Sequence, residues 1–309
     1  MNKIFIFLSK FRYIFAKISI MKVLVTGSNG QLGRSVEKSS SLYRNFQFIY
    51  TDIEELDITK LEEIRKFISE SNPAAIINCA AYTAVDKAEQ EPEKAYLINA
   101  AAPGLLAKAA AENNLLFIHI STDFIFGGKR DKPCKENDEP DPESVYAKTK
   151  LEGEEAVIAN STKAVILRTS WLYSEFGNNF VKTILRLANE RDEINVVNDQ
   201  TGAPTYATDL AETILKLIPR FADLPRGTEI LHYSDEGVAS WYDFAKEIVN
   251  LSGLECKVNP VSTDQYPLPA KRPQYSVLDK SKIKRKYDIH IPEWKESLAK
   301  CLKEIEEKT

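Results

Sequence analysis

The chain has 309 residues, of which 43% are hydrophobic and 28% charged, proportions typical of a globular protein with one large or two modest domains. The formal net charge of −4 argues against a nucleic-acid-binding surface, so no nucleic-acid partner is expected. The cysteines stand far apart without a CxxC pair, which favours free thiols in a reducing cytoplasm over a disulfide framework or a zinc site. They are Cys79, Cys134, Cys256 and Cys301.

The first twenty residues differ from the rest of the chain, because they are aromatic and basic and contain no acidic residue. Their longest uncharged run, IFIFLS, is too short for a membrane span, and we expect none. Since Met21 stands directly before the first predicted strand, we interpret residues 1–20 as an N-terminal extension upstream of the natural start. A basic amphipathic helix on a membrane surface is the alternative.

The chain then opens with a strand, KVLVTG, followed by a glycine-rich turn and a helix, GQLGRSVEKSSS. The segment GSNGQLG places Gly27, Gly30 and Gly33 in GxxGxxG spacing. These glycines allow a tight turn, a close approach of the backbone to a pyrophosphate, and packing of the helix on the strand. The second strand, FQFIYTD, carries Asp52 at its end, near the spacing expected for an acid that binds an adenosine ribose. Together these features predict a dinucleotide-binding turn.

Strands and helices alternate up to about Arg168. The next helices are TKLEEIRKFISES, EPEKAYLINAAAPGLLAKAAAENN and SVYAKTKLEGEEAVIAN, and the next strands are AAIINCA, LLFIHIST and KAVILRTS. This alternation predicts an α/β fold with a Rossmann-like, doubly wound parallel sheet. Beyond Arg168 the pattern loosens, which predicts a smaller C-terminal substrate-binding lobe. We expect residues 21–170 to form the dinucleotide-binding domain and residues 171–309 to form mainly this lobe, interleaved with the sheet.

Near the start of one predicted helix, Tyr146 and Lys150 stand four residues apart and therefore share a face. The pair could be two idle surface residues, since YxxxK occurs by chance in many proteins. It could also be an acid and the cation that tunes it. The motif alone does not decide between these interpretations.

Several segments together carry a resemblance to a known family. They are TGSNGQLG, LDIT, NCAAYTAVDKAE, STDFIFGG, YAKTKLEGE, RTSWLY, NNF and NDQTGAPT. From Met21 almost to its end, the chain resembles the extended short-chain dehydrogenase/reductases, and within them the dTDP-4-dehydrorhamnose reductase family. The resemblance implies reduction of the C4 ketone of dTDP-4-dehydro-L-rhamnose to dTDP-L-rhamnose by hydride transfer from NAD(P)H. It places this step in nucleotide-sugar and cell-surface polysaccharide biosynthesis.

The resemblance also implies roles for individual residues. Gly30, Gln31 and Leu32 are implied to line the pyrophosphate of the cofactor. Asp57 and Ile58 are implied to flank its adenine end, and the segment after the third strand, Ala81, Tyr82 and Thr83, is also implied to contact the cofactor. The implied catalytic residues are Tyr146, Lys150 and Thr122, with Tyr146 as the proton donor and Lys150 beside it on the nicotinamide ribose. The resemblance implies sugar-nucleotide contacts for Thr122, Asp123 and Trp171. On its chemistry, Arg272 is a further candidate that could face a diphosphate by charge-assisted hydrogen bonds, and Asn179 is a similar, weaker candidate. For Trp171 a core position, and for Arg272 an ordinary surface position, are the alternatives.

Thr122 ends the fourth strand and Tyr146 begins the next helix, so both can reach one site above the sheet. Free tyrosine has a pKa of about 10, and we expect the Lys150 cation to lower that pKa. Phe124 bears on the type of reaction, because related sugar-nucleotide 4,6-dehydratases carry a glutamate at this position. Phenylalanine cannot act as that second base, and a simple keto reduction needs none.

Two other functions remain open, a sugar-nucleotide epimerase of the same superfamily and a non-catalytic NAD(P)-binding regulatory subunit. Asp52 slightly favours NADH over NADPH, since its carboxylate would repel a 2′-phosphate. Some relatives hold Mg²⁺ at a dimer interface with acidic residues, which leaves Mg²⁺ and a homodimer open here. The stretch 190–193 could supply such ligands, although an acidic solvated turn is the simpler interpretation.

Overall fold

A six-stranded parallel sheet forms the centre of the protein in the computed structural model, which describes residues 20–127 and 130–308. Its strands follow the order β10-β5-β4-β3-β1-β2. They are β1 (Met21–Thr26), β2 (Phe46–Thr51), β3 (Ala75–Asn78), β4 (Leu116–Thr122), β5 (Lys163–Thr169) and β10 (Gly227–His232). Three short strand pairs lie outside it: β6 (Leu172–Tyr173) with β9 (Thr205–Tyr206), β7 (Glu193–Val197) with β12 (Lys257–Val261), and β8 (Thr201–Gly202) with β11 (Ala239–Ser240).

Helices connect the strands of the sheet and complete the C-terminal part. They are α1 (Gln31–Ser40), α2 (Leu61–Ser71), α3 (Val85–Ala88), α4 (Pro92–Tyr96), α5 (Ala102–Glu112), α6 (Val145–Asn160), α7 (Phe180–Glu190), α8 (Ala207–Ala222), α9 (Trp241–Leu251), α10 (Ser281–Tyr287) and α11 (Trp294–Glu306). Across the described ranges, no helix is both long and apolar enough to cross a membrane. Residues 1–19 of the predicted extension, and the alternative membrane-surface helix, lie outside the described residues.

The helix predicted to run without a break from α4 into α5 is interrupted by a π-helical turn, Leu97–Ala101. Pro103 supplies the physical reason, because it has no N–H to bond the carbonyl of Asn99 four residues earlier. The turn leaves the Asn99 side chain fully buried. Such π turns are frequent at functional sites.

Neighbouring residues of one strand enter two separate cores. In β1, Val23 and Val25 belong to a hydrophobic cluster with α1, α8 and α10, whereas Leu24 belongs to a second cluster with α2, α5 and α6. All three side chains are fully buried. Burial on both faces is what a doubly wound sheet requires, and the predicted fold class is confirmed.

The strand order reverses at β1, because β2 lies on one side of it and β3 on the other. In open α/β sheets, the crevice at the carboxyl ends of such strands is the usual ligand site. Gly27 follows β1 with a φ of +68°, and a Cβ there would lie 2.5 Å from the backbone nitrogen of Ala80, just beyond β3. The loops after these two strands therefore meet at the switch point, and only glycine fits there.

The C-terminal part has a core of its own. A third hydrophobic cluster joins α7, α9, α11 and β7 around Tyr173, Phe244 and Leu298. Strand β10 nevertheless returns to the main sheet, where it pairs in parallel with β5. The division at residue 170 into a dinucleotide-binding domain and a substrate-binding lobe stays a prediction.

Candidate active site

The N-terminus of α1 is open to an anionic ligand. Gly30 is its exposed N-cap, no described side chain caps the helix, and the first turn, with Gln31 and Leu32, holds no acidic residue. A Cβ on Gly33 would lie 2.4 Å from the carbonyl oxygen of Gly27, so the helix rests directly on the glycine turn. Backbone N–H groups and the helix dipole favour a phosphate at such an end. These residues fit the pyrophosphate of a dinucleotide.

Asn179 lies against this same helix. Its Nδ2 donates to Gln31 Oε1 at 2.9 Å and to the carbonyl oxygen of Ser174 at 2.7 Å. Its Oδ1 accepts from the backbone N–H of Lys182 at 3.2 Å and so caps α7. Both ends of the amide are occupied by the protein, which favours a structural role over the predicted sugar-nucleotide contact.

Asp52 is held beside the glycine turn. Its Oδ2 accepts from the backbone N–H of Asn29 and its Oδ1 from that of Ile53, each at 2.9 Å. The carboxylate is partly exposed. The structure therefore brings Asp52 and the glycine turn together, as the sequence predicts.

The predicted adenine-end residues, Asp57 and Ile58, follow a few positions later. Asp57 Oδ1 accepts from the hydroxyl and the backbone N–H of Thr59, at 2.6 and 3.0 Å. The Thr59 hydroxyl is the main reason that the pKa of Asp57 lies below its usual value. Ile58 is buried in the core between the sheet and α5. Only part of the Asp57 surface is thus open to a ligand.

The loop after β3 contains three predicted cofactor residues, Ala81, Tyr82 and Thr83. Asn99 holds this loop: its Oδ1 accepts from the N–H of Tyr82 at 2.8 Å, and its Nδ2 donates to the carbonyl oxygen of Tyr82 at 3.1 Å. The Tyr82 hydroxyl donates to Glu91 at 2.7 Å, and Thr83 is exposed. Asn99, which the sequence analysis missed, therefore fixes the loop from the π turn.

Thr122 and Tyr146 meet at the carboxyl end of the sheet. Thr122 is the last residue of β4, and Tyr146 lies in the first turn of α6, where the Ser144 hydroxyl caps the helix. The Thr122 hydroxyl lies close enough to that of Tyr146 to act on its pKa. The Phe124 ring packs edge-on against Tyr146, with centroids 5.5 Å apart. The predicted proximity of these two residues is confirmed.

The expected lowering of the Tyr146 pKa is wrong for the protein alone. Burial of the hydroxyl group raises the pKa of Tyr146 to about 12, although the neighbouring Thr122 hydroxyl acts in the opposite direction. Lys150 donates instead to the carbonyl oxygen of Ile120 at 2.7 Å. Burial lowers the pKa of Lys150 to about 8, which the Glu154 carboxylate partly offsets.

A buried ion pair, which the sequence analysis also missed, lies one turn beyond Lys150. The Arg168 guanidinium donates to both carboxylate oxygens of Glu154, with Nε–Oε1 at 2.9 Å and Nη2–Oε2 at 2.7 Å. Both side chains are almost fully buried. The pair ties α6 to β5 and places a carboxylate near the lysine ammonium.

Asp123 is buried directly beside the Thr122–Tyr146 pair. Its Oδ1 accepts from the Thr122 hydroxyl at 3.1 Å. Burial raises the pKa of Asp123 to about 7, while the neighbouring Ser276 and Thr122 hydroxyls act against this rise. An aspartate that is protonated in part at neutral pH therefore lies next to the two predicted catalytic hydroxyls.

Trp171 lies just beyond β5, where Thr169 pairs with Thr122 across the sheet. Its side chain is partly exposed and stacks on Trp241, with ring centroids 3.6 Å apart. Its backbone has a φ of +47°. The predicted ligand residue is therefore neither fully buried core nor free surface.

Arg272 lines a cavity of about 460 Å³ together with Gln200 and Tyr266. Its guanidinium forms a two-point ion pair with Asp86, at 3.0 Å to Oδ1 and 2.6 Å to Oδ2. Arg272 is the largest cause of the lowered pKa of Asp86. The cavity wall is thereby joined to α3, which follows the Tyr82 loop.

The RmlD substrate binding domain family matches residues 21–307, nearly the whole described chain. A dTDP-4-dehydrorhamnose reductase of Aggregatibacter actinomycetemcomitans is 41% identical over 286 residues, covering 90% of this chain and 97% of that relative. The chain belongs to the dTDP-4-dehydrorhamnose reductase family. The resemblance inferred from the sequence is confirmed.

Solved structures of dTDP-4-dehydrorhamnose reductases agree with this membership. One from Clostridium acetobutylicum has a TM-score of 0.88 and 45% identity, covering 93% of this chain and 100% of that chain. Another, from Bacillus anthracis in complex with NADP, has a TM-score of 0.87 and 39% identity, covering 92% and 99%. The family likeness therefore extends over the sheet and the C-terminal part alike.

The sequence leaves open an Mg²⁺ site at a dimer interface, with ligands from the stretch 190–193. Among residues 20–127 and 130–308, no group of three or more histidine, cysteine or acidic side chains is arranged to hold a metal ion. In the stretch 190–193, Glu190 pairs with Arg186 at 2.8 Å and Glu193 accepts from Asn259 at 3.0 Å. Mg²⁺ at an interface between two subunits stays a prediction.

Proposed function

We propose that this protein reduces the C4 ketone of dTDP-4-dehydro-L-rhamnose to dTDP-L-rhamnose, using NADH or NADPH. The product would serve nucleotide-sugar and cell-surface polysaccharide biosynthesis. The observation that carries the proposal is the placement of the Thr122 and Tyr146 hydroxyls beside each other at the carboxyl end of the sheet, where Thr122 acts to lower the pKa of Tyr146. In addition, a relative that aligns with 90% of this chain is named dTDP-4-dehydrorhamnose reductase.

The nicotinamide cofactor, when bound, supplies the hydride for the sugar C4 atom. The carbonyl oxygen then gains negative charge and needs a proton. Tyr146 donates that proton from its hydroxyl. Because burial raises the pKa of Tyr146 to about 12, the hydroxyl carries its proton throughout the neutral range. A positioned general acid of this kind contributes roughly 10²–10⁴-fold to the rate.

Thr122 would orient the same sugar oxygen, since its hydroxyl lies beside that of Tyr146. Lys150 contributes positive charge near Tyr146 and would hold the nicotinamide ribose when the cofactor is bound. Its pKa of about 8 leaves most of the ammonium charged at neutral pH. Charge on Lys150 stabilises the tyrosinate that forms when the proton leaves Tyr146.

Phe124 supports a simple reduction. Its ring packs on the edge of Tyr146, at the position where the sugar-nucleotide dehydratases carry a glutamate. A phenyl ring cannot remove a proton from the sugar. The side chain instead shields the proton donor from water.

The cofactor is a nicotinamide dinucleotide, because the open N-terminus of α1 and the adjacent Asp52 fit its pyrophosphate and adenosine ribose. The relative from Bacillus anthracis was solved with NADP. The Asp52 carboxylate slightly favours NADH in this chain. We further propose that the protein is cytoplasmic and forms a homodimer. Whether Mg²⁺ binds at the dimer interface is left open. The four free cysteines are consistent with a reducing compartment.

A reduction assay with dTDP-4-dehydro-L-rhamnose tests the proposal, followed by the loss of nicotinamide absorbance. A panel of other keto sugar nucleotides sets the specificity. We expect one reduced nicotinamide to be consumed for each dTDP-L-rhamnose formed. Sugar conversion without net cofactor consumption would indicate an epimerase, and nucleotide binding without turnover of any sugar would indicate a regulatory subunit.

A further inference from the structure

The side-chain amide of Asn179 can take one orientation only, because backbone groups surround it. Its Oδ1 accepts from the N–H of Lys182 in the first turn of α7, where the helix supplies no acceptor of its own. Its Nδ2 donates to the carbonyl oxygens of Ser174, at 2.7 Å, and Phe176, at 3.3 Å. A flipped amide would set oxygen against oxygen and N–H against N–H. The Asn179 atom that faces Gln31 is therefore the nitrogen.

This orientation determines that of the Gln31 amide. Asn179 Nδ2 can only donate, so the atom 2.9 Å from it is the Gln31 oxygen, Oε1. The Ser174 hydroxyl, which also contacts the carbonyl oxygen of Phe176, lies 3.1 Å from the same oxygen. Both partners belong to the 174–179 loop, so the nitrogen, Nε2, is at the other end of the amide. Gln31 is partly exposed, and in the part of the chain that the structure describes its Nε2 has no hydrogen-bond partner.

Gln31 stands where a phosphate donor is useful. It is the first residue of α1 and follows the exposed N-cap Gly30, at the helix end that fits a pyrophosphate. The 174–179 loop also packs along the glutamine stem, because a Cβ on Gly177 would lie 3.4 Å from Gln31 Cγ. The loop thus contacts both the stem and the amide oxygen. The amide nitrogen is what remains for a ligand, as a donor that adds to the backbone N–H groups of the helix end.

We propose that Asn179 is a positioning residue, which with Ser174 holds the Gln31 amide by its oxygen so that Nε2 donates to the diphosphate of the nicotinamide cofactor. This inference rests on the proposed placement of that cofactor at the N-terminus of α1. An amide turned the other way would present its oxygen to the phosphate oxygens, and two acceptors repel each other. Asn179 itself does not touch the cofactor. The C-terminal part would thereby contribute to cofactor binding as well as to sugar binding.

The experiment measures the dissociation constant (Kd) for NADH by titration calorimetry, without a sugar nucleotide. Gln31→Met keeps the length of the stem but removes the amide. We expect it to raise the Kd about tenfold, the order of effect for losing a hydrogen bond to a charged group. Asn179→Ser keeps a helix-capping oxygen but is too short to reach Gln31. It should raise the Kd about fivefold, because the glutamine amide is then able to turn.

The double variant Gln31→Met/Asn179→Ser separates positioning from packing. Because Asn179 acts through Gln31, the double variant should bind NADH about tenfold more weakly than the wild type, no worse than Gln31→Met alone. Adenosine, which has no phosphate, should bind the wild type and every variant with a Kd within about twofold. Asn189→Ala, at an exposed position of the same helix as Lys182, is the control and should leave both constants unchanged.

An increase of about fiftyfold in the double variant, the product of the single effects, would overturn the positioning role, because the two residues would then act independently. An equal loss of adenosine affinity would overturn it too, since the damage would not be confined to the diphosphate. An unchanged Kd in Gln31→Met would exclude the glutamine as a donor. These are binding measurements, so a protein that shows the coupling but reduces no keto sugar nucleotide would overturn the proposed function alone.

Discussion

The ammonium of Lys150 donates a hydrogen bond to the carbonyl oxygen of Ile120, 2.7 Å away. Ile120 precedes Thr122 by two residues in β4, so the strand that presents the hydroxyl also fixes the lysine. The lysine sits in a buried environment, where charge is costly. Its protonation state should therefore be visible in the pH profile.

We expect kcat/KM for reduction to fall above about pH 8, because burial lowers the pKa of Lys150 to about 8 and the charged form is lost there. Tyr146, with its pKa raised to about 12, keeps its proton in this range. Lys150→Arg should be less active but should lack the decline near pH 8. Lys148→Ala, at an exposed position of the same helix, should keep the wild-type profile. The same decline in Lys150→Arg would assign it to another group.

Tyr146→Phe should lower kcat by at least about 10²-fold, because only the proton donor is removed while the ring still packs against Phe124. The affinity for the nicotinamide cofactor, measured by titration calorimetry, should stay close to wild type. Tyr96→Phe, which removes an exposed hydroxyl, serves as the control. Near-normal turnover in Tyr146→Phe would exclude Tyr146 as the acid and support the regulatory-subunit alternative.

Cofactor preference should depend on the charge of Asp52. We expect kcat/KM to be higher with NADH than with NADPH in the wild-type protein. Asp52→Asn keeps an oxygen that can accept from the N–H of Asn29 but removes the negative charge. The NADPH/NADH ratio of kcat/KM should then rise about tenfold, the equivalent of 1.4 kcal/mol. Glu54→Gln, at a nearby exposed position, should leave the ratio unchanged. An unchanged ratio in Asp52→Asn would mean that the carboxylate does not face the ribose.

The buried Asp123 should make stability depend on pH. Its pKa is raised from 3.8 to about 7, so its stabilising contribution is full below pH 3.8 and is lost as pH rises through 7. Above that range its cost is on the order of a few kcal/mol. In urea unfolding, Asp123→Asn should therefore gain stability relative to wild type between pH 4.5 and pH 8. Asp131→Asn, at an exposed site, should show no such trend. A constant difference between Asp123→Asn and wild type at both pH values would contradict the prediction.

Arg272→Ala should raise the KM for the sugar nucleotide about tenfold if its guanidinium contacts the diphosphate by charge-assisted hydrogen bonds. Asp86→Asn provides the comparison, because it disrupts the ion pair with Arg272 but leaves the positive charge in the cavity wall. We expect a much smaller KM change there. Equal changes in the two variants would show that the ion pair matters only for the shape of the cavity.

Regular local patterns made much of the fold predictable. Short stretches of sequence were enough to recognise the glycine turn, the apolar strands and the acid at the end of β2. In the structure, that acid, Asp52, accepts a hydrogen bond from the glycine turn. The meeting of Thr122 with Tyr146 follows from strand and helix order alone. These features depend on residues that are close in sequence or that end adjacent strands.

Other parts of the site depend on contacts that no local pattern carries. The π turn that buries Asn99, the Arg168–Glu154 pair and the stack of Trp171 on Trp241 join residues from separate elements. The expected pKa of Tyr146 is wrong for the same reason, because burial depends on the packed environment and raises the pKa, while Lys150 bonds the carbonyl oxygen of Ile120 instead. Pro103 was the one sequence signal that could have indicated the π turn.

The return of β10 to the central sheet bears on how the chain can be divided in the laboratory. A fragment ending at Thr169 would lose the partner of β5 and expose the backbone of a strand that carries Val165, Ile166 and Leu167. An unpaired hydrophobic edge of this kind is a template for aggregation. The first 169 residues should therefore precipitate when expressed alone. Fusion partners and insertions are better directed to exposed turns such as that near Gly253, where a side chain would meet open space.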